Sequence, residues 1–106
     1  MDARIPAGLE VSGLVRAVQA EGGFATVIAK GEPDAGTILL VLLEKGGNAR
    51  LFERMPLPTG VRAWTRVRPD IDTYQAVGEF LDRRRSQDPD LWIVELDIPQ
   101  GERFIV

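Results

Sequence analysis

The sequence predicts an α+β fold of two layers, with four or five mostly antiparallel strands and two helices packed on one face. Two segments with helical apolar spacing stand among strand-like segments, one before the first strand and one before the last. Turns containing Gly, Pro or Asn separate successive strands closely enough for hairpins. Because 106 residues suit one domain, residues 1–106 are expected to fold as a single unit.

The first helix is predicted over residues 11–21. Its apolar stripe recurs at helical spacing and comprises Val11, Leu14, Val15 and Val18. Gly22 and Gly23 follow directly, and glycine accepts the left-handed conformation in which helices commonly end. The helix is therefore expected to end before residue 24.

Five segments rich in β-branched and other apolar residues are predicted as strands: 24–30, 37–44, 49–54, 61–67 and 91–98. The second is apolar on both faces and is therefore expected at the centre of the sheet. Residues 31–36 are expected to join the first two strands as a tight hairpin. Residues 55–60 are predicted as a loop because two prolines interrupt the ladder. Residues 103–106 are a candidate for a short final edge strand.

The second helix is predicted to begin at residues 71–72. Asp72 can cap its first amides, and Gln75 three residues later completes a capping box. Its buried side is expected to comprise Ala76, Val77, Phe80 and Leu81. The run Arg83-Arg84-Arg85 at its end is expected to be solvated, with a contact to an acidic partner as the alternative.

The absence of two residue types limits the chemistry of the chain. With no His and no Cys, Ser–His, Cys–His and zinc–thiolate sites are excluded within it. No cofactor and no metal site is predicted, and an enzyme would have to use carboxylates, Tyr, Lys, Ser, Thr or Arg. Since there is neither a long apolar run nor a signal-peptide pattern, we expect a soluble, cytoplasmic protein that does not enter the membrane.

Three stretches together resemble a known family. They are Glu-Gly-Gly-Phe-Ala at residues 21–25, Gly-Glu-Pro-Asp-Ala-Gly at 31–36, and Asp-Pro-Asp-Leu-Trp-Ile-Val-Glu at 88–95. Their order and spacing resemble a small bacterial family described as domain of unknown function 1491, and the last stretch is the most specific. The resemblance spans nearly the whole chain. It implies one intact domain and carries no assigned activity or site residues.

Two neighbouring strands carry an Arg–aromatic–Arg pattern. Side chains alternate between faces along a strand, so one side of each strand is expected to combine cations with an aromatic ring. The candidate ligand-binding residues are Arg50, Phe52, Arg54, Arg62, Trp64 and Arg66, with Arg68 continuing the second set. Such a face can stack bases while Arg neutralises phosphates. The alternative is that both rings pack beneath a helix while the arginines reach solvent or pair with Glu95 and Asp97.

Two further features have simpler structural interpretations, and a set of carboxylates is a third candidate site. The glycine-rich loop at residues 31–36 lacks the Lys-Ser/Thr of a phosphate-binding loop and is interpreted as a turn. Trp92 shares a strand face with aliphatic residues and is interpreted as a core aromatic. Carboxylates that could act as acid and base, or hold Mg²⁺, if they converged are Asp34, Asp88, Asp90, Glu95 and Asp97.

The function that the sequence favours is a non-catalytic binding or protein-interaction module. Its partner is unknown, and it could be another protein or a second copy that forms a homodimer through an exposed strand edge or apolar patch. Nucleic-acid or polyanion binding through the Arg/aromatic face is the alternative, which the net charge of −3 disfavours. A carboxylate-based enzyme ranks third, and no catalytic residue is assigned.

Overall fold

Two helices and five strands follow one another along the described part of the chain. The computed structural model describes residues 5–56, 62–71 and 73–105, without the side chains of Met55, Pro56 and Arg62. The elements are α1 (Ala7–Ala20), β1 (Phe24–Ala29), β2 (Ile38–Glu44), β3 (Gly47–Pro56), β4 (Arg62–Val67), α2 (Tyr74–Gln87), β5 (Trp92–Asp97) and a 3₁₀ turn (Gly101–Phe104). Neither of these helices is long and apolar enough to cross a bilayer.

The five strands form one open sheet in the order β1-β5-β2-β3-β4. All neighbours are antiparallel except β2 and β5, which run parallel. The predicted α+β fold with mostly antiparallel strands is confirmed. So is the central place of β2, whose first six side chains are all buried.

The two helices lie on opposite faces of the sheet, so the prediction of two layers with both helices on one face is wrong. Leu40 of β2 packs with Val18 of α1 on one side. The next residue of β2, Val41, points the other way and packs with Val77 of α2. Because β2 is apolar on both faces and β5 adds buried side chains to each, both faces need a cover, and one helix covers each.

Residues 31–36 do not close a hairpin between β1 and β2, which corrects the sequence expectation. The strand β5 lies between those two strands, so the connection must pass over the start of β5. The amide of Glu32 donates to the carbonyl of Asp90, just before β5, at 3.0 Å. Pairing with a strand far along the chain therefore replaces the local hairpin.

Both helices begin elsewhere than predicted. The first starts at Ala7 rather than residue 11, because the amides of Ala7 and Gly8 donate to the carbonyls of Asp34 and Pro33 at 3.2 and 2.9 Å. The second starts at Tyr74. Its cap is the Thr73 hydroxyl, which accepts from the Ala76 amide at 3.2 Å. The predicted cap, Asp72, lies outside the described residues.

The remaining boundaries differ at the ends of β3 and of the chain. The strand β3 continues to Pro56, two residues beyond the predicted end, and residues 57–61 lie outside the described residues. Residues 101–104 form a 3₁₀ turn where an edge strand was a candidate over 103–106. The turn brings Ile105 into the α1-side core instead of extending the sheet.

Candidate interaction surface

The residues of the Arg–aromatic pattern on β3 and β4 lie on one face of the sheet. In the β3–β4 pair, Arg54 lies opposite Trp64 and Phe52 lies opposite Arg66. Directly opposed residues of antiparallel strands point to the same side. In the β2–β3 pair Leu40 lies opposite Phe52, and both belong to the α1-side core, so this is the face that α1 covers.

Two of the candidate arginines are buried in ion pairs. Arg50 is 8% exposed, and its guanidinium donates to the Glu102 carboxylate at 2.5 and 3.1 Å. That hydrogen bond holds the pKa of Glu102 below its usual value, against the opposing effect of burial. Arg54 is 4% exposed and pairs with Glu10 of α1. The acids thus come from α1, the 3₁₀ turn and, at 3.9 Å from Arg50, Glu44 of β2, and not from Glu95 and Asp97.

The other candidates on this face are more open. Phe52 and Trp64 are half-buried against the α1-side core, and the guanidinium of Arg54 lies 5.8 Å from the centroid of the Trp64 ring. Arg66 is exposed. Arg62 lies at the start of β4, and its side chain lies outside the described residues. Among the described candidate side chains on this face, Arg66 on the outer strand is therefore the exposed one, and it lies on the same strand as the half-buried Trp64.

The loop at residues 31–36 is a structural clasp over the start of β5. Trp92 is only 4% exposed, and its indole Nε1 donates to the Glu32 carbonyl at 2.7 Å. The Glu32 carboxylate accepts the amides of Asp34 and Ala35 at 3.0 and 2.7 Å. Since these amides already have an internal acceptor, the loop uses its own carboxylate where an anion-binding loop would hold a ligand.

Two of the candidate carboxylates, Asp97 and Asp88, have separate structural roles. Asp97 accepts the amides of Lys45 and Gly46 in the β2–β3 turn at 2.8 and 2.9 Å. Asp88 accepts the amide of Asp90 at 3.0 Å. Burial and then the charge of Asp97 raise the pKa of Glu95. Among the residues that the structure describes, no group of three or more carboxylates is placed to hold a metal ion.

The arginine run at the end of α2 is divided between solvent and a bridge. Arg83 and Arg85 are exposed, whereas Arg84 forms an ion pair with Glu53 of β3. That hydrogen bond raises the pKa of Arg84. The run is therefore solvated in part, and its middle member ties α2 to the sheet.

The edge position of β1 is the feature that the sequence did not predict. It lies at an edge of the sheet and pairs only with β5. Within the described ranges no backbone hydrogen bond reaches its outer side. Its large side chains are nonetheless exposed, by 76% for Phe24, 43% for Val27 and 36% for Ile28. The expected hairpin with β2 concealed this edge, and an uncharged segment from residue 22 to 29 is the sequence signal that could have revealed it.

A groove runs between α1 and this edge strand. Its volume is about 700 Å³, and its apolar lining includes Val11, Val15, Val27 and Trp92. Two cations, Arg16 and Lys30, also line it, and no carboxylate of the described residues does. In the part of the chain that the structure describes, neither cation forms an ion pair. The groove and the open edge of β1 together form the candidate interaction surface.

The fold and this surface define a class: a small α+β domain with an open, mostly antiparallel sheet, a helix on each face and an apolar edge strand. The chain matches the family "protein of unknown function (DUF1491)" over residues 5–106. It therefore belongs to the DUF1491 family, which confirms the resemblance noted in its sequence.

Solved structures of relatives share the whole fold. A crystal structure of a DUF1491 family protein from Caulobacter crescentus CB15 is 31% identical, with a TM-score of 0.80, and the match covers 96% of this chain and 95% of that one. An NMR structure of a family member from the same organism is 29% identical, with a TM-score of 0.83 and coverage of 96% and 93%. The solution structure of Atu0922 from A. tumefaciens is 27% identical, with a TM-score of 0.81 and coverage of 96% and 92%. No curated protein matches the chain.

Proposed function

We propose that the domain is a non-catalytic protein-interaction module that binds an extended segment of its partner along β1. The observation that carries this proposal is the open edge of β1 together with the exposure of Phe24, Val27 and Ile28. An unpaired edge presents a row of amides and carbonyls that a further strand can pair with.

The side chains of β1 favour the same interpretation. Soluble proteins commonly protect an edge strand with charge or proline, but residues 24–29 contain neither. Val27 lies opposite Val94 on the α1 side, whereas Phe24 lies opposite Asp97 on the α2 side. A strand added here would cover apolar surface on both faces at once. Full burial of one such side chain stabilises by about 1.5–3 kcal/mol.

A selection of random displayed heptapeptides on the immobilised domain tests the proposal. Enriched peptides are expected to shift the amide resonances of β1 in ¹⁵N NMR spectra. Val27→Lys places a charge on the edge strand and should weaken their binding about tenfold or more. Thr65→Lys, an exposed position on the opposite edge strand β4, is the matched control and should leave binding unchanged. Peptides that map elsewhere, or that ignore Val27→Lys, would refute the proposal.

A second candidate function is polyanion binding through the Arg–aromatic face of Arg50, Phe52, Arg54, Arg62, Trp64 and Arg66. The observation that favours it is the exposed Arg66 on the same strand as the half-buried Trp64. The burial of Arg50 and Arg54 in ion pairs weakens it, because paired cations are not available to phosphates. The test measures binding of single-stranded oligothymidylate at low salt. Absence of binding, or equal affinity for the native domain and Trp64→Ala, would eliminate this candidate.

A further inference from the structure

We infer that the segment recognised along β1 is acidic, with a carboxylate side chain that lies in the groove between α1 and β1 and is bound by Arg16 and Lys30. This inference rests on the proposed function and specifies the partner. Its basis is the combination of an open apolar edge with an adjacent groove whose charged lining residues, among those that the structure describes, are these two cations.

Strand geometry places alternate side chains of an added segment in this groove. An added strand continues the alternation of the sheet, so every second side chain points to the α1 side, as Val27 does. Six residues of strand extend about 20 Å, so about three side chains would enter. The groove volume of about 700 Å³ lies within the usual range of about 300–1,000 Å³ for ligand pockets. Val15 and Trp92 provide apolar contacts for the other two.

The charge of the groove calls for an anionic occupant. The acids nearest in sequence on α1 and at its C-cap are already engaged, Glu10 with Arg54 and Glu21 with Arg103. Arg16 and Lys30 are exposed and have no ion pair among the described residues. A carboxylate would form charge-assisted hydrogen bonds with them, which are stronger than neutral ones.

A second copy of the chain fits this surface less well than an acidic peptide. Residues 24–29 contain no carboxylate, and the two nearest in sequence are engaged, Glu21 with Arg103 and Glu32 with the amides of Asp34 and Ala35. Antiparallel pairing of two β1 strands would also bring a second Lys30 to the junction without supplying an acid to either groove. The groove on the α2 side is lined by both Asp82 and Arg85, so it does not select one sign of charge.

The test compares peptide selections on the native domain and on the double variant Arg16→Glu, Lys30→Glu. On the native domain, enriched heptapeptides are expected to alternate apolar residues with Asp or Glu. Their affinity should fall about tenfold or more on the double variant, and Lys in place of the peptide acid should restore it. Arg83→Glu reverses an exposed cation on α2 and should leave binding unchanged.

The outcomes separate this inference from the proposed function. Peptides that shift β1 resonances but lack acids, and that bind the double variant equally well, would overturn the acidic partner and leave the role of β1 intact. If peptides are not enriched, or map away from β1, both fail. A sedimentation mass above 11.7 kDa that Val27→Lys returns to the monomer value would identify a second copy as the partner and also overturn the inference.

Discussion

At the scale of single residues, close backbone approach explains two of the glycines in the clasp over β5. A Cβ added at Gly31 would lie 2.2 Å from the carbonyl oxygen of Asp90, and one at Gly36 would lie 2.5 Å from the same atom. These neighbours are backbone atoms, so rotation of a side chain cannot relieve the contact. Glycine at these positions allows the loop to lie on the start of β5 and to accept the indole hydrogen bond of Trp92.

Gly31→Ala is therefore expected to destabilise the domain by about 2–3 kcal/mol, in the range of overpacking substitutions. Gly13→Ala is the control, because a Cβ there meets no atom within 4 Å and alanine favours the helix by up to about 1 kcal/mol. Urea denaturation followed by tryptophan fluorescence measures both. Equal denaturation midpoints for the two variants would show that the loop accommodates a Cβ at residue 31, against the short contact distances.

Arginine rather than lysine suits the two buried cations of β3. Arg50 contacts both carboxylate oxygens of Glu102, and its guanidinium also donates to the carbonyl of Asn48 at 2.6 Å. A planar fork with several donors can serve all these acceptors at once, which a single ammonium cannot do in the same geometry. Arg54 combines its ion pair to Glu10 with a position over the Trp64 ring. Arg50 therefore connects β3 to the 3₁₀ turn, and Arg54 connects β3 to α1.

At the scale of elements, the two helices satisfy their first amides in different ways. The amides of Ala7 and Gly8 in α1 donate to loop carbonyls, so the start of α1 depends on the clasp. The start of α2 is capped by an adjacent residue, because the Thr73 hydroxyl accepts a hydrogen bond from the Ala76 amide. A local cap is a property of adjacent residues, whereas the cap of α1 exists only once the loop has docked.

Thr73→Ala is expected to lower the free energy of unfolding by about 1 kcal/mol, because the first turn of α2 loses its acceptor. Ser86→Ala in the same helix is the control. The Ser86 hydroxyl bonds only the carbonyl of Asp82, so its removal should be neutral or slightly stabilising. Chemical denaturation of both variants measures the change in the free energy of unfolding. A similar decrease in both would contradict a capping role for Thr73.

At the scale of the whole molecule, the pairing of β5 between β1 and β2 determines both the core and the exposed surface. It places β5 beside β2, which is apolar on both faces, so helices are needed on both sides of the sheet. It also moves β1 to the edge. Ion pairs then connect the layers, from the 3₁₀ turn to β3 through Glu102 and from α2 to β3 through Arg84.

The Arg50–Glu102 pair makes stability depend on acid pH. The hydrogen bond from Arg50 lowers the pKa of Glu102 in the folded state, so the folded protein binds this proton less readily than the unfolded chain. The stabilisation is therefore complete above the ordinary glutamate pKa of 4.5 and is lost as pH falls through the lower folded-state pKa.

Glu102→Gln should lower the free energy of unfolding by about 1 kcal/mol at neutral pH, a modest value because the Glu102 side chain is 44% exposed. The difference from the native domain should shrink as pH falls below about 4. Glu79→Gln, an exposed position on α2, is the control and should change little. Urea denaturation across this pH range provides the measurement, and a pH-independent difference would show that the carboxylate charge is not the cause.

Patterns within single helices and strands predicted the features that depend on residues close together in the sequence. Val18 of the α1 stripe and Val77 of the α2 stripe are buried, and β2, apolar on both faces, is central. Alternation along β3 and β4 also predicted that Arg54 and Trp64 share a face. The burial of Arg54 was not predictable in this way, because its partner Glu10 reaches it only after α1 has packed on the sheet.

Spacing and composition predicted the two helices, the five strands, the family and the chemistry that a chain without His and Cys excludes. The order of the strands was not predictable from them, because pairing between β2 and β5 joins residues far apart along the chain and leaves no local signal. That pairing places the helices on opposite faces and leaves β1 at the edge. The proposed interaction surface is thus a product of long-range strand order.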